Sequence, residues 1–281
     1  MRTLRAALSA LALLYVIAGV RPGQAAAQTP ALTVSDRGAK RTYTRQDLLS
    51  RPDLHTITIS DPVYHRPMTY RAIPAADLLQ GLKIDGDDYV QARAIDNFSI
   101  GIPVRLFSPA VATQTEPFVA VEDPAAPWPP FPNDAKKSSA GPYYLVWRLA
   151  PSAQVSSMYW VDRLAALAVT DGPLKRWPGL GVGADVQAND PIRTGLDRFV
   201  ELCIACHRFK GQGEGDKGPD LARPMNPVQY FQLPALKKLI RDPASVRQWP
   251  DQKMPGFDAS SLSDADLDAI IAWLTYKARQ R

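Results

Sequence analysis

Two cysteines three positions apart, with a histidine directly behind the second, constrain this chain more than any other stretch: Cys203-Ile204-Ala205-Cys206-His207. The C-x-x-C-H order suits covalent attachment of a c-type haem. Each thiol can add across one haem vinyl group to form a thioether, and a helically wound backbone then holds the adjacent imidazole under the iron. The same residues could form a thioredoxin-like redox pair, half of a zinc site or a disulfide. A redox pair normally lies near a βαβ pattern, and a zinc site needs further Cys or His ligands. The chain has only these two cysteines and three histidines, His55, His65 and His207. One covalent haem c is therefore the expected cofactor, held by Cys203, Cys206 and His207.

The start of the chain agrees with export. Arg2 and Arg5 precede an apolar run from Ala6 to Val20, and small residues follow at Ala25-Ala26-Ala27. This is the layout of a secretory signal peptide over residues 1–27. The run is short for a span, which needs about 20 apolar residues. Cleavage is expected before Gln28, leaving no stable membrane span, and no cysteine stands there to carry a lipid. Haem of this type is attached outside the bacterial cytoplasm, so the expected location is the periplasm.

The formal charge of the whole chain is +5, but the signal peptide region holds Arg2, Arg5 and Arg21 and no acid, so the remainder is near +2. That balance excludes nucleic acid as an expected partner. With both thiols committed to haem, no structural disulfide remains, and the fold must rest on its cores.

The mature length suits two domains. Residues 28–171 read as one, 172–190 as a linker rich in glycine and proline, and 191–281 as the other. In the first, alternating or β-branched segments at 54–59, 89–94, 98–102, 118–121 and 143–147 read as strands. Short helices are expected after Thr44, a plausible N-cap, and from Pro74. Asp96-Asn97 reads as a hairpin turn. Strands outnumber helices, so the expected class is α+β. The prolines of 124–132 force an extended path around Trp128 and Phe131, which are read as a contact coupling the domains. His55 and His65 are too few for a metal site, and Asp85-Gly86-Asp87-Asp88 reads as a solvated turn.

The segments YTRQDLLSRP (43–52), MTYRAIPAADLLQGL (68–82), ARAIDNFSIGIP (92–103), GPYYLVWR (141–148) and MYWVDRLAALAV (158–169) resemble the sulfite-oxidase-type molybdopterin-binding fold in its smaller stand-alone form. Enzymes of that family bind molybdenum through a cysteine thiolate. Here the only cysteines are Cys203 and Cys206, so the resemblance implies the fold, and no molybdopterin is expected.

Residues 191–281 resemble class I cytochrome c, an all-α fold. Gly195 and Phe199 precede the haem motif with that family's glycine-x-x-x-aromatic spacing. A C-terminal helix begins after Ser263, with Leu262 and Leu267 at hydrophobic-staple spacing and Leu267, Ile270, Ile271 and Leu274 on one face. Gly218-Pro219-Asp220-Leu221 is similar to the family's G-P-x-L, which implies that the Pro219 carbonyl accepts a hydrogen bond from the proximal histidine. Met254, in Lys253-Met254-Pro255-Gly256-Phe257, is similar to the distal M-P-x-F and is implied as the second axial ligand opposite His207. Met225, before Asn226-Pro227, is the rival; Met68 and Met158 lie in the other domain.

Iron held by His207 and Met254 has no open position for substrate, which points to one-electron transfer rather than catalysis at iron. The expected function is a periplasmic monohaem cytochrome whose first domain is a docking or binding module for a redox protein, a dehydrogenase or an oxidase. The competing reading is a fused molybdopterin-dependent oxidoreductase of sulfite-dehydrogenase type that passes electrons to its own haem. The missing thiolate favours the first. Lys277, Arg279 and Arg281 read as a solvated, basic end to the last helix.

Overall fold

The computed structural model describes residues 30–108, 114–132, 134–248, 252 and 254–280. The expected signal peptide lies outside them. The described N-terminal part is sheet-rich. One sheet has five strands in the order β2 (Lys40–Tyr43), β1 (Leu32–Ser35), β9 (Leu164–Thr170), β5 (Tyr89–Ala94) and β6 (Ser99–Pro103). The other has four, β3 (His55–Asp61), β4 (Arg66–Pro74), β7 (Thr115–Val121) and β8 (Tyr143–Leu149). Strand β1 runs parallel to β9, and the other pairings are antiparallel.

Side-chain alternation decides which face each strand buries. In β3, Ile57 and Ile59 point into the core while Thr56, Thr58 and Ser60 face out. Strand β8 instead buries every residue from Tyr143 to Trp147, and Leu145 and Val161 exchange backbone hydrogen bonds (3.0 and 3.3 Å) at its free edge. Pairing of that kind removes unpaired ladder groups. Helix α1 (Arg45–Leu49) starts at Thr44, whose hydroxyl accepts from the Asp47 amide while the Asp47 carboxylate accepts from the Thr44 amide. Helix α2 (Ala75–Leu79) follows Pro74, and the β5–β6 hairpin turns at Asp96-Asn97 with Asn97 at φ 67°.

The acidic turn at 85–88 differs from expectation. Asp88 is buried, accepts from the Asp85 amide at 2.8 Å and is gripped by both terminal nitrogens of Arg37 (3.1 and 2.5 Å). A carboxylate leaves water only when charge and donors meet it, and a partner 51 residues away is invisible to local pattern.

Residues 172–190 are not loose strapping. Helix α3 (Pro173–Arg176) opens with a proline at its first turn, the 3-10 turn Pro178–Leu180 follows, and Leu180 is fully buried. The C-terminal part comprises α4 (Pro191–Leu202), α5 (Pro227–Tyr230), α6 (Leu233–Arg241), α7 (Pro243–Val246) and α8 (Asp264–Arg279). Asp190 caps α4 by accepting from the Ile192 amide at 2.8 Å, and Ser263 caps α8 by accepting from the Asp266 amide at 3.1 Å. The two long helices cross at Gly195, where a Cβ would stand 1.9 Å from the Ala269 carbonyl oxygen. Beside the crossing Phe199 stacks on Trp273 with centroids 4.4 Å apart.

Lys277 corrects the reading of the C-terminus as a solvated end. It is 6% exposed, and its ammonium donates to the Gly179 and Gly181 carbonyls at 2.7 and 3.1 Å. The end of the 3-10 turn leaves carbonyls without helical partners, and a long lysine reaches them while its stem stays among apolar neighbours.

Trp128 and Phe131 also lie elsewhere than expected. Trp128 packs on Tyr70 and Tyr144 (centroids 5.0 and 6.5 Å) and Phe131 on Tyr64 (5.4 Å), all within the sheet-rich part. Contacts between the two parts run instead through Gln91 and Arg176, both on Glu214, with Trp177 under the Arg176 guanidinium at 4.1 Å, and through Lys217 on the Asp96 carbonyl.

Candidate functional site: an apolar cavity with thiol, imidazole and thioether donors

Helix α4 ends at Cys203, and the backbone keeps winding through the motif. The amides of Cys206 and His207 both donate to the Cys203 carbonyl, at 3.1 and 2.8 Å. That turn brings both sulfurs and the imidazole to one wall of a cavity of about 270 Å³. Pro219 and Met254 line the same cavity. The rest of the wall is mainly apolar, with Phe199 and Leu202 from α4, Leu236 and Ile240 from α6, and Ile270 and Leu274 from α8.

Geometry fixes the tautomer of His207. Its Nδ1 lies 2.8 Å from the Pro219 carbonyl oxygen. A carbonyl only accepts, so Nδ1 carries the hydrogen and the lone pair of the neutral ring is on Nε2. Burial lowers the pKa of this imidazole, which keeps the ring neutral and its lone pair available to a metal. Gly218 makes the approach possible: a Cβ there would stand 2.5 Å from the His207 Cε1.

The thiols are the opposite of a redox-active pair. Burial pushes Cys203 up to about 12, with Cys206 adding to the shift, and burial raises Cys206 as well. Reactive C-x-x-C thiols sit at helix N-termini, whose positive end lowers their pKa. Cys203 instead closes the C-terminus of α4, where the dipole disfavours a thiolate. Both are free cysteines, and no group of three or more metal-binding side chains occurs among the described residues. A mainly apolar cavity with two protonated thiols and a neutral imidazole on its wall fits a haem, whose faces are apolar and whose iron takes nitrogen and sulfur donors.

The two candidate methionines separate clearly. Met254 lines the cavity, whereas Met225 is 47% exposed and does not. Met225 precedes Asn226, which caps α5 and donates to the Leu274 carbonyl at 2.9 Å. The segment behind Met254 is latched to the end of α6. The Phe257 amide donates to the Ile240 carbonyl at 3.1 Å, and a Cβ on Gly256 would stand 2.6 Å from the Arg241 carbonyl oxygen. Arg241 donates to the carbonyls of Phe257 and Asp258 (2.9 and 3.1 Å) and to that of Leu262, and pairs with Asp264 at 2.6 Å. The sequence places Arg241 at a helix end before this loop but does not show its role, since nothing near it in the chain marks a cation that collects carbonyls 16 to 21 residues ahead.

His55 and His65 are both exposed, far apart in role from the cavity. No helix among the described residues is long and apolar enough to cross a membrane. No curated protein matches the chain. The family model for Cytochrome c matches residues 193–276, the stretch from the first turn of α4 to the last of α8 that encloses the cavity. That match supports a cytochrome c domain in the C-terminal part of the chain, the haem-binding unit of an electron-transfer protein.

Proposed function

We propose that the chain is an exported, periplasmic monohaem cytochrome that carries single electrons between redox proteins. The observation that carries this reading is the convergence of Cys203, Cys206, His207, Pro219 and Met254 on one mainly apolar cavity. The thiols of Cys203 and Cys206 would anchor the cofactor, and His207 through its nitrogen and Met254 through its sulfur would be the donors to its iron. The bound haem supplies a one-electron couple between ferrous and ferric iron. The Pro219 carbonyl orients the imidazole, the apolar side chains of α4, α6 and α8 would shield the bound group from water, and His207 and Met254 would be the residues that hold its iron. A soft thioether favours the ferrous state and raises the potential over a second imidazole.

The sheet-rich part, residues 28–171, acts in this reading as the module that docks a dehydrogenase or oxidase, with 172–190 joining it to the haem domain at 191–281. Its resemblance to the sulfite-oxidase-type fold supports a binding role. The lack of any cysteine before Cys203 weighs against molybdenum chemistry there. Metal analysis combined with redox titration of the exported holoprotein tests the proposal. One iron per chain, no molybdenum and a single one-electron wave are expected. Stoichiometric molybdenum would make the sheet-rich part catalytic and overturn it.

A further inference from the structure

The segment between His207 and Pro219 does more than close the cavity. Two of its glycines are wedged against the haem motif: a Cβ on Gly215 would stand 2.1 Å from the carbonyl carbon of Cys206, and one on Gly218 would stand 2.5 Å from the His207 ring. The residue before each glycine is tied to the sheet-rich part. Glu214 pairs with Arg176 of α3 at 2.5 Å and accepts from the side-chain amide of Gln91 on β5. Lys217 donates to the Asp96 carbonyl in the β5–β6 turn at 2.8 Å.

The anchor is itself braced. Gln91 also donates to Ser99 on β6 at 2.7 Å and accepts from Arg176 at 3.1 Å, so a buried amide joins both strands, α3 and the haem loop. Earlier in the loop, the Gln212 side chain accepts from the Gly179 amide at 2.8 Å. A buried network of this kind holds one geometry, because each member left unpaired carries a desolvation cost.

We propose that the β5–β6 hairpin and α3 clamp the loop between His207 and Pro219, so that Gln91, outside the cytochrome fold, is a positioning residue for the proximal histidine. This rests on the reading of His207 as the proximal ligand. The consequence is directional. A hydrogen bond accepted by Pro219 makes the imidazole a stronger donor and favours ferric iron. Loosening the loop weakens that bond and raises the potential.

Gln91→Leu is the decisive variant because it removes the bonds of Gln91 to Glu214, Ser99 and Arg176 without changing any charge, leaving the Arg176–Glu214 pair in place. In the exported holoprotein, an upward shift of the midpoint potential is expected, with amide exchange across 208–218 accelerated by up to about tenfold, the loss of one net hydrogen bond. Glu214→Gln provides a second reading if Gln91→Leu folds poorly, and should accelerate exchange in the same segment. Potentials and exchange rates equal to those of the unsubstituted protein would overturn the clamp. The ligand reading is checked separately on the unsubstituted protein: absence of covalent haem would sink that reading, while exchange in the loop would still decide whether the clamp exists.

Discussion

Gly218 stands where any side chain would collide with the ring of His207, so the position is set by the site and not by turn propensity. Gly218→Ala should cost about 1–3 kcal/mol of stability, the usual range for overpacking. Denaturant titration of the holoprotein measures it, and an unchanged midpoint would show that the loop yields freely. The methionines give a paired test. Met254→Ala should abolish the sulfur-to-iron charge-transfer absorption and lower the potential, while Met225→Ala should leave both intact; the reverse pattern would reassign the ligand. At this scale the cysteines and His207 were legible because their chemistry needs a fixed local spacing. Asp88 and Lys277 were not, since their partners, Arg37 and the carbonyls of Gly179 and Gly181, lie 51 or more residues away.

Elements were readable where burial writes a period into the chain. The alternation in β3 and the apolar face of α8 announced themselves, as did the caps at Thr44 and Ser263. Strand β9, Leu-Ala-Ala-Leu-Ala-Val-Thr, did not stand out by β-propensity; it is a strand because β1 and β5 pair with it on either side. The latch between α6 and the loop behind Met254 was equally hidden. Arg241→Met should cost about 1–3 kcal/mol, since it leaves several carbonyls short of a donor. Urea unfolding checks the loss, and a weakened methionine absorption should accompany it if the latch positions Met254. The same loop carries an acid-sensitive turn. Donors from Ser260 and Ser261 hold the Asp258 carboxyl down to about 2 against an ordinary 3.8. A depressed carboxylate contributes above its ordinary value and loses that contribution as pH falls through its folded one. Amide exchange at Ser260 and Ser261 should therefore accelerate as pH falls from 3.8 toward 2, relative to the intrinsic rate. An unchanged protection ratio would show that Asp258 does not hold the turn.

Across the whole molecule, the expected class was legible: the described N-terminal part is sheet-rich and the C-terminal part helical. The contact between them was not legible. Trp128 and Phe131 drew attention because prolines surround them, yet they pack on tyrosines of their own sheet region. Gln91, Arg176 and Glu214 carry no motif and form the joint only because folding brings β5, α3 and the haem loop together. The central claim remains the haem. Intact-protein mass spectrometry of chain exported from a host that matures c-type cytochromes tests it most directly. The account predicts a polypeptide beginning at Gln28 with the added mass of one haem that survives denaturation. A polypeptide mass without that addition, from the same host, would contradict it.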